Sequence, residues 1–277
     1  MHEEDINERT EESIRKKFRK KLFSRFTKAI VEYELIQPND KIAVCISGGK
    51  DSFAMAKLFQ ELKRHNKIPF EIIFLLMDPG YNAENREKIE TNAKLLNIPL
   101  TVFETDIFES VFNIEKSPCY LCARMRRGHL YHRAKDLGCN KIALGHHYDD
   151  VIETILMGML YGGQMQTMMP KLKSDNFEGM ELIRPMYLIR EETIKAWRDY
   201  NGLEFIRCAC KFTEGAARDP SGSKRQKVKE LIRTLEKDDP GIEQNIFRSV
   251  ENVNLKTVIT YKDKEGVRHR FTDEYND

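Results

Sequence analysis

One short segment combines the groups that a phosphate site needs, in the order Ser47-Gly48-Gly49-Lys50-Asp51-Ser52. An apolar run precedes it and a helical pattern follows it, so backbone N–H groups and a helix N-terminus should converge on one point and bind a phosphate oxyanion. The glycines let the backbone approach the ligand, and both serines can donate hydroxyls. Lys50 supplies charge, and Asp51 suits a magnesium ion or caps the helix. The alternative is an ordinary glycine turn before a capped helix.

Two carboxylates follow a later apolar run. Asp149 and Asp150 stand shortly after residues 141–145, which have the composition of a strand. Carboxylates at the carboxyl end of a strand lie where open α/β sheets bind their ligands, so both residues are expected near the ligand. Either of them can instead cap the helix that follows.

The chain has six cysteines, and their spacing separates them into two groups. Cys119 and Cys122 form a C-x-x-C pair that we expect just before a helix, and Cys208 and Cys210 form a second close pair. Two pairs suggest one site, for which zinc, an iron–sulfur cluster or a redox dithiol are the candidates. Cys45 and the remaining cysteine, Cys139, lie in or beside strands and are expected to be small buried apolar residues.

Predicted strands and helices alternate along the chain, and the segments described above lie within or between them. We expect strands at residues 41–46, 70–77, 100–103 and 141–145, a short strand at 180–184, and helices at 84–96, 123–137, 151–161, 190–201 and 224–238. This rhythm predicts an α/β fold with a doubly wound parallel sheet and helical N- and C-terminal additions. We divide the chain into a basic amphipathic N-terminal helix (1–36), an α/β domain that contains the phosphate loop (37–205) and a C-terminal part with a cysteine loop, a basic helix and a tail (206–277).

Charge and hydropathy limit the possible partners. The chain has 46 basic and 44 acidic residues among 277, so nucleic acid must be bound by local patches. Candidate RNA contacts are Arg124, Arg126, Arg127, Lys224, Arg225 and Lys227. A merely solvated face is the alternative for both of these patches and for the N-terminal helix. Charges interrupt the N-terminus, and no apolar run reaches about 18 residues. A cytoplasmic protein without a membrane partner is expected.

The motifs together resemble a known family. The phosphate loop is similar to that of PP-loop (N-type ATP pyrophosphatase) enzymes, while a Walker sequence is missing from the chain. Five further segments resemble the tRNA 2-thiocytidine synthetase family, and the resemblance covers roughly residues 20–252. The segments are Cys119-Tyr-Leu-Cys122-Ala-Arg-Met-Arg-Arg127-Gly, Gly145-His146-His147-Tyr-Asp149-Asp150, Tyr161-Gly-Gly-x-Met165, Pro170-Lys-Leu-x-Ser-Asp175 and Ile183-Arg-Pro185.

The resemblance implies an activity. ATP would be cleaved to AMP and pyrophosphate while C2 of a tRNA pyrimidine, cytidine 32 in the family, is adenylated and its oxygen replaced by sulfur. The phosphate loop, Gly145, His146, Asp149 and Asp150 would bind ATP and magnesium. The resemblance also implies a [4Fe–4S] cluster on Cys119, Cys122 and a third cysteine, either Cys208 or Cys210, with one iron left open for sulfide. Lys50 and Asp51 would act in adenylation, and Cys119 and Cys122 in sulfur transfer.

The same resemblance also implies binding partners for the protein, and other functions stay open. The resemblance implies tRNA as substrate, a cysteine desulfurase or free sulfide as sulfur donor, and a homodimer. Thiolation of another tRNA base, such as a uridine, or another sulfur transfer by a PP-loop enzyme stays open. A non-catalytic nucleotide- or RNA-binding module with structural zinc at the four paired cysteines is the alternative from a different class.

Overall fold

The computed structural model describes residues 3–65, 67–108, 118–206 and 224–275. Within them the strands are β1 (Lys41–Ile46), β2 (Glu71–Asp78), β3 (Leu100–Glu104), β4 (Lys141–Ala143), β5 (Lys171–Lys173), β6 (Glu181–Ile183), β7 (Thr260–Lys262) and β8 (Arg268–Arg270). The helices are α1 (Glu3–Arg15), a π-helical turn (Arg19–Phe23), α2 (Ser24–Glu32), α3 (Lys50–His65), α4 (Ala83–Leu95), α5 (Pro118–Asp136), α6 (Tyr148–Gly162), α7 (Glu191–Tyr200), α8 (Lys224–Asp238), α9 (Ile242–Arg248), a 3₁₀ turn (Leu255–Thr257) and α10 (Phe271–Tyr275).

The central sheet confirms the predicted α/β fold. Its order among the described strands is β3-β2-β1-β4-β6-β5, with every neighbouring pair parallel except β5 and β6. Strand β1 lies inside the sheet, and its residues from Ile42 onwards are buried, as expected for a strand covered on both faces. The chain runs outward in one direction through β2 and β3 and in the other through β4. The β1/β4 boundary is therefore the topological switch point, where such sheets bind ligands.

Several local predictions need correction. The C-x-x-C pair does not precede its helix, because α5 already begins at Pro118. Proline suits the first helical position, since its φ is preset and its missing N–H would have no helical partner there. No strand was predicted between residues 164 and 179, but Lys171–Lys173 add an antiparallel edge strand to β6. Helix α9 also follows α8, where no helix was predicted.

The chain divides into two compact units, and each is described by itself. The first comprises Met1–Val151 and Met168–Gly222 and contains the whole central sheet. The second comprises Ile152–Thr167 and Ser223–Asp277; in it Val228, Ile232 and Phe247 are buried, and β7 pairs with β8 in an antiparallel ribbon. The boundaries proposed at residues 36 and 205 stay predictions. None of the described helices has both the length and the apolar character required to cross a bilayer.

Candidate active site

The phosphate loop occupies the turn between β1 and α3, as the sequence predicts. The hydroxyl of Ser52 closes this turn: its Oγ accepts a hydrogen bond from the Ser47 backbone N at 3.1 Å and donates to the Gly49 carbonyl oxygen at 2.9 Å. The Ser47 hydroxyl donates to the same oxygen atom of Ser52 at 3.3 Å. Side-chain hydrogen bonds therefore hold the loop open at the start of α3, where the helix dipole favours an anion.

Gly48 is the residue that the loop conformation requires to be glycine. Its φ is +86°, in the region that other residues rarely adopt. A methyl group on its Cα would lie 2.5 Å from Ile206 Cδ1 and 2.7 Å from Ile89 Cγ1. Both the backbone conformation and the packing therefore exclude a side chain.

Gly48→Ala should lower the free energy of unfolding by about 2–4 kcal/mol, the sum of a positive-φ cost and of overpacking. Urea denaturation measures the change. Gly179→Ala is the matched control, because Gly179 has φ +77° but open space around its Cα. Equal losses in the two variants would show that contact with the isoleucines does not matter.

Lys50 lies between two carboxylates. Its Nζ is 3.0 Å from Asp51 Oδ2 and 3.1 Å from Glu191 Oε1, at the start of α7. Burial lowers the pKa of Lys50, but the charges and hydrogen bonds of Asp51 and Glu191 more than offset that effect and leave the pKa above its ordinary value. Lys50 therefore stays protonated at neutral pH and presents a fixed positive charge beside the loop.

Asp51 has one carboxylate oxygen without a hydrogen-bond partner. Among the described residues, its buried Oδ1 accepts no hydrogen bond, and the ring nitrogen Nε2 of His147 is 3.9 Å away. A buried unpaired carboxylate oxygen costs free energy unless a ligand or cation satisfies it. Its place beside the phosphate loop fits a magnesium ion.

The residues after β4 pack directly on the phosphate loop. A Cβ at Gly145 would lie 3.3 Å from the backbone of Asp51 and Ser52, so the two ligand-binding segments touch through their main chains. His147 is buried, and its backbone N donates to Asp150 Oδ2 at 3.0 Å, which is the capping interaction considered above. Asp149 Oδ2 accepts from the Glu191 backbone N at 2.7 Å and so fixes the start of α7.

His146 faces Arg184 rather than the loop lysine. The Nε of Arg184 donates to His146 Nδ1 at 3.4 Å, and its guanidinium also donates to the Met169 carbonyl oxygen. Burial, and then the charge of Arg127, lowers the pKa of Arg184 to about 10. This buried cation places a second positive charge near the segment that follows β4.

A cavity of about 650 Å³ adjoins the loop. Its walls are the loop itself, helix α7 and the segment after α7, with the lining residues Gly49, Lys50, Asp51, Lys195, Arg198, Asp199, Leu203, Glu204, Phe205 and Ile206. The side chain of Lys195 lies 2.9 Å from the second carboxylate oxygen of Glu191. The cavity is large enough for a nucleotide and has cations on two sides.

The first cysteine pair lies in the first turn of α5, with positions 119 and 122 one helical turn apart. Cys122 forms no disulfide with a described cysteine, and it is partly exposed. Tyr81 links this helix to the phosphate loop: its hydroxyl donates to the Ser47 carbonyl oxygen at 3.4 Å, while burial raises its pKa and the nearby Arg126 opposes that shift. The thiol and the phosphate loop therefore face one region of the first unit.

The other cysteines fall into two groups. Cys45 and Cys139 are buried, as predicted, and burial raises the pKa of Cys45 to about 12. Cys208 and Cys210 lie outside the described residues, and so does the side chain of Cys119. Within the described part of the chain no cluster of three or more His, Cys, Asp or Glu side chains has metal-binding geometry. The ligand set therefore stays a prediction.

Known proteins resemble this chain over most of its length. A model of the PP-loop domain matches residues 15–211. A tRNA-cytidine(32) 2-sulfurtransferase of Neisseria meningitidis is 34% identical over 240 residues, which is 86% of this chain and 73% of the relative. A protein of the same name from Aliivibrio fischeri is 37% identical over 243 residues, 86% of this chain and 76% of the relative.

The chain belongs to the tRNA-cytidine 2-sulfurtransferase family of PP-loop proteins. Among solved structures, the U34-tRNA thiolase NcsA from Methanococcus maripaludis, determined with its [4Fe–4S] cluster, superposes with a TM-score of 0.66. It is 24% identical and covers 84% of this chain and 78% of its own. That similarity shows that the two proteins share a fold.

The residues that the sequence predicts to bind RNA lie on two helices. Arg124 and Arg127 are exposed on α5, whereas Arg126 is half-buried beside Tyr81. In the second unit Lys224, Arg225 and Lys227 are exposed on α8; Arg225 is 3.4 Å from Glu153, and Lys224 lies over the ring of Tyr161. Their role in RNA binding stays a prediction.

Sequence reasoning missed three residues of the site. Glu191 was placed in the expected helix 190–201 without a function, and His147 was named without a role. Tyr81 was not mentioned. His147 lies in the motif Gly145-His146-His147, but that motif gave no role for its side chain, and Tyr81 and Glu191 belong to no motif. The one usable signal was position, because Tyr81 and His147 both follow strands that end at the ligand-binding edge of the sheet.

Proposed function

We propose that this protein is an ATP-dependent tRNA sulfurtransferase that adenylates C2 of cytidine 32 and replaces its oxygen with sulfur. The observation that carries the proposal is the phosphate loop with a charged lysine and an unsatisfied aspartate oxygen, beside a helix that begins with C-x-x-C. The names of the relatives support the substrate and the chemistry. The ATP-binding loop supports activation of a carbonyl oxygen before the sulfur arrives.

In the proposed first step the phosphates of ATP lie on the loop amides and the N-terminus of α3. Lys50 neutralises charge on the phosphates, and Asp51 would hold a magnesium ion through the oxygen that accepts no hydrogen bond from the described residues. The C2 oxygen of cytidine attacks the α-phosphorus, the bond to the β-phosphate oxygen breaks, and pyrophosphate leaves. Catalysis in this step consists mostly of positioning and charge stabilisation.

In the second step a sulfide attacks C2, and AMP leaves with the original oxygen. Cys119, Cys122 and either Cys208 or Cys210 would hold the [4Fe–4S] cluster, and the partly exposed thiol of Cys122 fits that role. When bound, the cluster supplies the sulfur-transfer chemistry. Arg126 belongs to this helix and lies near Tyr81, whose hydroxyl contacts the loop. These two side chains would orient the activated base.

The partners in the proposal follow from the substrate. tRNA binds through the arginines of α5, with Lys224, Arg225 and Lys227 as further phosphate contacts. A cysteine desulfurase or free sulfide donates the sulfur, and the active form is a homodimer. The cytoplasm, where tRNA is modified, is the proposed location.

The experiment that tests the proposal is anaerobic purification followed by metal analysis and a thiolation assay. We expect a brown protein with about four irons per chain. With unmodified tRNA, ATP, magnesium and sulfide it should form 2-thiocytidine and one pyrophosphate for each thiolated base, read by mass spectrometry of nucleosides. Colourless protein with stoichiometric zinc and no pyrophosphate release would contradict the proposal.

A further inference from the structure

The first unit has a second large concavity, which we call the N-terminal groove. It has a volume of about 720 Å³ and lies between the N-terminal helices and the segment that connects α3 to β2. Its lining residues are Arg19, Phe23, Ser24, Thr27, Lys28, Ile30, Val31, Glu32, Ile36, Leu62, His65, Lys67, Ile68 and Phe70. The proposed reaction uses none of them.

The spacing of apolar residues explains why this groove exists. Ile14, Phe18, Leu22, Phe26 and Ile30 recur at every fourth residue and are all buried. In a regular α-helix each such step overshoots one turn by about 40° and carries the side chain away from the core. The under-wound π-helical turn at Arg19–Phe23 compensates for this drift. Phe23 and Val31 are left outside the buried stripe, and Val31 is 74% exposed.

The groove is flanked by cations on both sides. Residues 13–31 contain no Asp or Glu but eight basic side chains, all exposed, namely Arg15, Lys16, Lys17, Arg19, Lys20, Lys21, Arg25 and Lys28. Five of these, Lys17, Arg19, Lys20, Lys21 and Arg25, form no ion pair with any carboxylate that the structure describes. Lys28 Nζ lies 3.4 Å from Oε2 of Glu32, the one acidic residue of the lining. On the opposite wall His65 and Lys67 line the groove, whereas Arg64 is ion-paired with Glu11 and Glu61 outside it. This charge is complementary to a polyanion.

The floor between the cations is apolar and partly aromatic. The rings of Phe23 and His65 are 5.2 Å apart with an interplanar angle of 31°, and Leu62, Ile68 and Phe70 line the same hollow. Phosphates along a cationic rim with bases on an aromatic floor are the usual arrangement for single-stranded nucleic acid. A membrane surface would instead need a convex apolar face.

The groove is far from the phosphate loop within the same unit. Ile36 and Phe70 stand just before β1 and β2, at the amino edge of the sheet, whereas the loop lies at the carboxyl edge. Helix α3 connects the two edges: it begins at Lys50 in the loop and ends at His65 in the groove, a span of about 24 Å. A nucleotide in the groove is therefore not the nucleotide that reacts.

The geometry points to the N-terminal groove as a second RNA site, which holds an unpaired nucleotide of the tRNA while the target base lies at the phosphate loop. This inference rests on the proposed function for the identity of the RNA. The second site anchors the tRNA and sets its affinity, while the phosphate loop sets the rate of the chemistry.

The first test removes the lining cations in the triple variant Arg19→Gln, Lys28→Gln, Lys67→Gln. We expect the Kd for tRNA to rise at least about 10-fold, and the slope of log affinity against log salt to fall by about 2. The rate at saturating tRNA should stay unchanged. The control triple variant Lys94→Gln, Lys256→Gln, Lys262→Gln has the same net charge and should bind tRNA like the wild type.

The second test examines stacking at the floor of the groove. Phe23→Leu keeps apolar volume but removes the ring, and it should weaken tRNA binding about 5- to 10-fold. Phe23→Tyr keeps the ring and should bind tRNA like the wild type, and an unchanged free energy of unfolding in Phe23→Leu would exclude a purely structural role of the ring. Binding is measured by fluorescence anisotropy without ATP, so failure of the thiolation proposal and failure of the groove proposal remain distinguishable.

Several outcomes would overturn the inference. Unchanged tRNA affinity in the triple variant would exclude an RNA contact at the groove. Weaker binding in the triple variant together with normal binding of Phe23→Leu would exclude a base on the floor. Unchanged tRNA affinity with lost binding to vesicles of an anionic phospholipid would assign the groove to a membrane surface.

Discussion

Lys50→Ala should lower the rate of tRNA-dependent pyrophosphate release by about 10²- to 10³-fold, the size of effect seen when one stabilising charge is removed from a transition state. Lys50 is the cation at the start of α3, and its two carboxylate partners keep it protonated and held beside the loop. No other lysine contacts Asp51 among the described residues. Single-turnover release of labelled pyrophosphate measures the effect.

Two controls separate this effect from unfolding. Lys94→Ala removes an exposed lysine from α4 and should leave the rate unchanged. Lys50→Met keeps the length of the side chain without its charge, and it should be as slow as Lys50→Ala while retaining the wild-type circular dichroism spectrum. If a folded Lys50→Ala protein released pyrophosphate at the wild-type rate, Lys50 would not act on the phosphates.

Cys122→Ser should abolish thiolation and leave adenylation largely intact. Serine is a poor ligand for iron, and with two remaining cysteine ligands the cluster should be lost, so that iron falls from about four per chain to near zero. The C2 oxygen can still attack ATP, because the phosphate loop and its lysine do not include this thiol. We therefore expect pyrophosphate release to continue while 2-thiocytidine falls below about 1% of the wild-type yield.

Cys139→Ala is the matched control for this variant. Cys139 is another cysteine of the first unit, but it is buried next to β4, and burial raises its pKa. Its replacement should cost some stability and leave iron content and thiolation unchanged. A Cys122→Ser protein that kept four irons and full activity would remove Cys122 from the ligand set.

Much of the fold was predictable because it depends on residues close together in the chain. The apolar run 41–46, the glycine turn and the helical pattern from Ser52 onwards are local features, and each formed where it was expected. The predicted helix at 224–238 also has the observed bounds. The short strand Lys171–Lys173 was missed, because three residues with two exposed side chains have no periodicity to detect, and only pairing with β6 defines them.

The sequence by itself determined the phosphate loop, the C-x-x-C pair and the alternation of strands and helices, since backbone preferences and short spacings decide these features within a few residues. Only the tertiary structure decided that Glu191 would hold Lys50 and that Tyr81 would join the loop to α5. It also decided that the basic N-terminal helices would border a groove. The physical reason is that such contacts form between residues distant in the chain, and the folding of the sheet brings them to one edge.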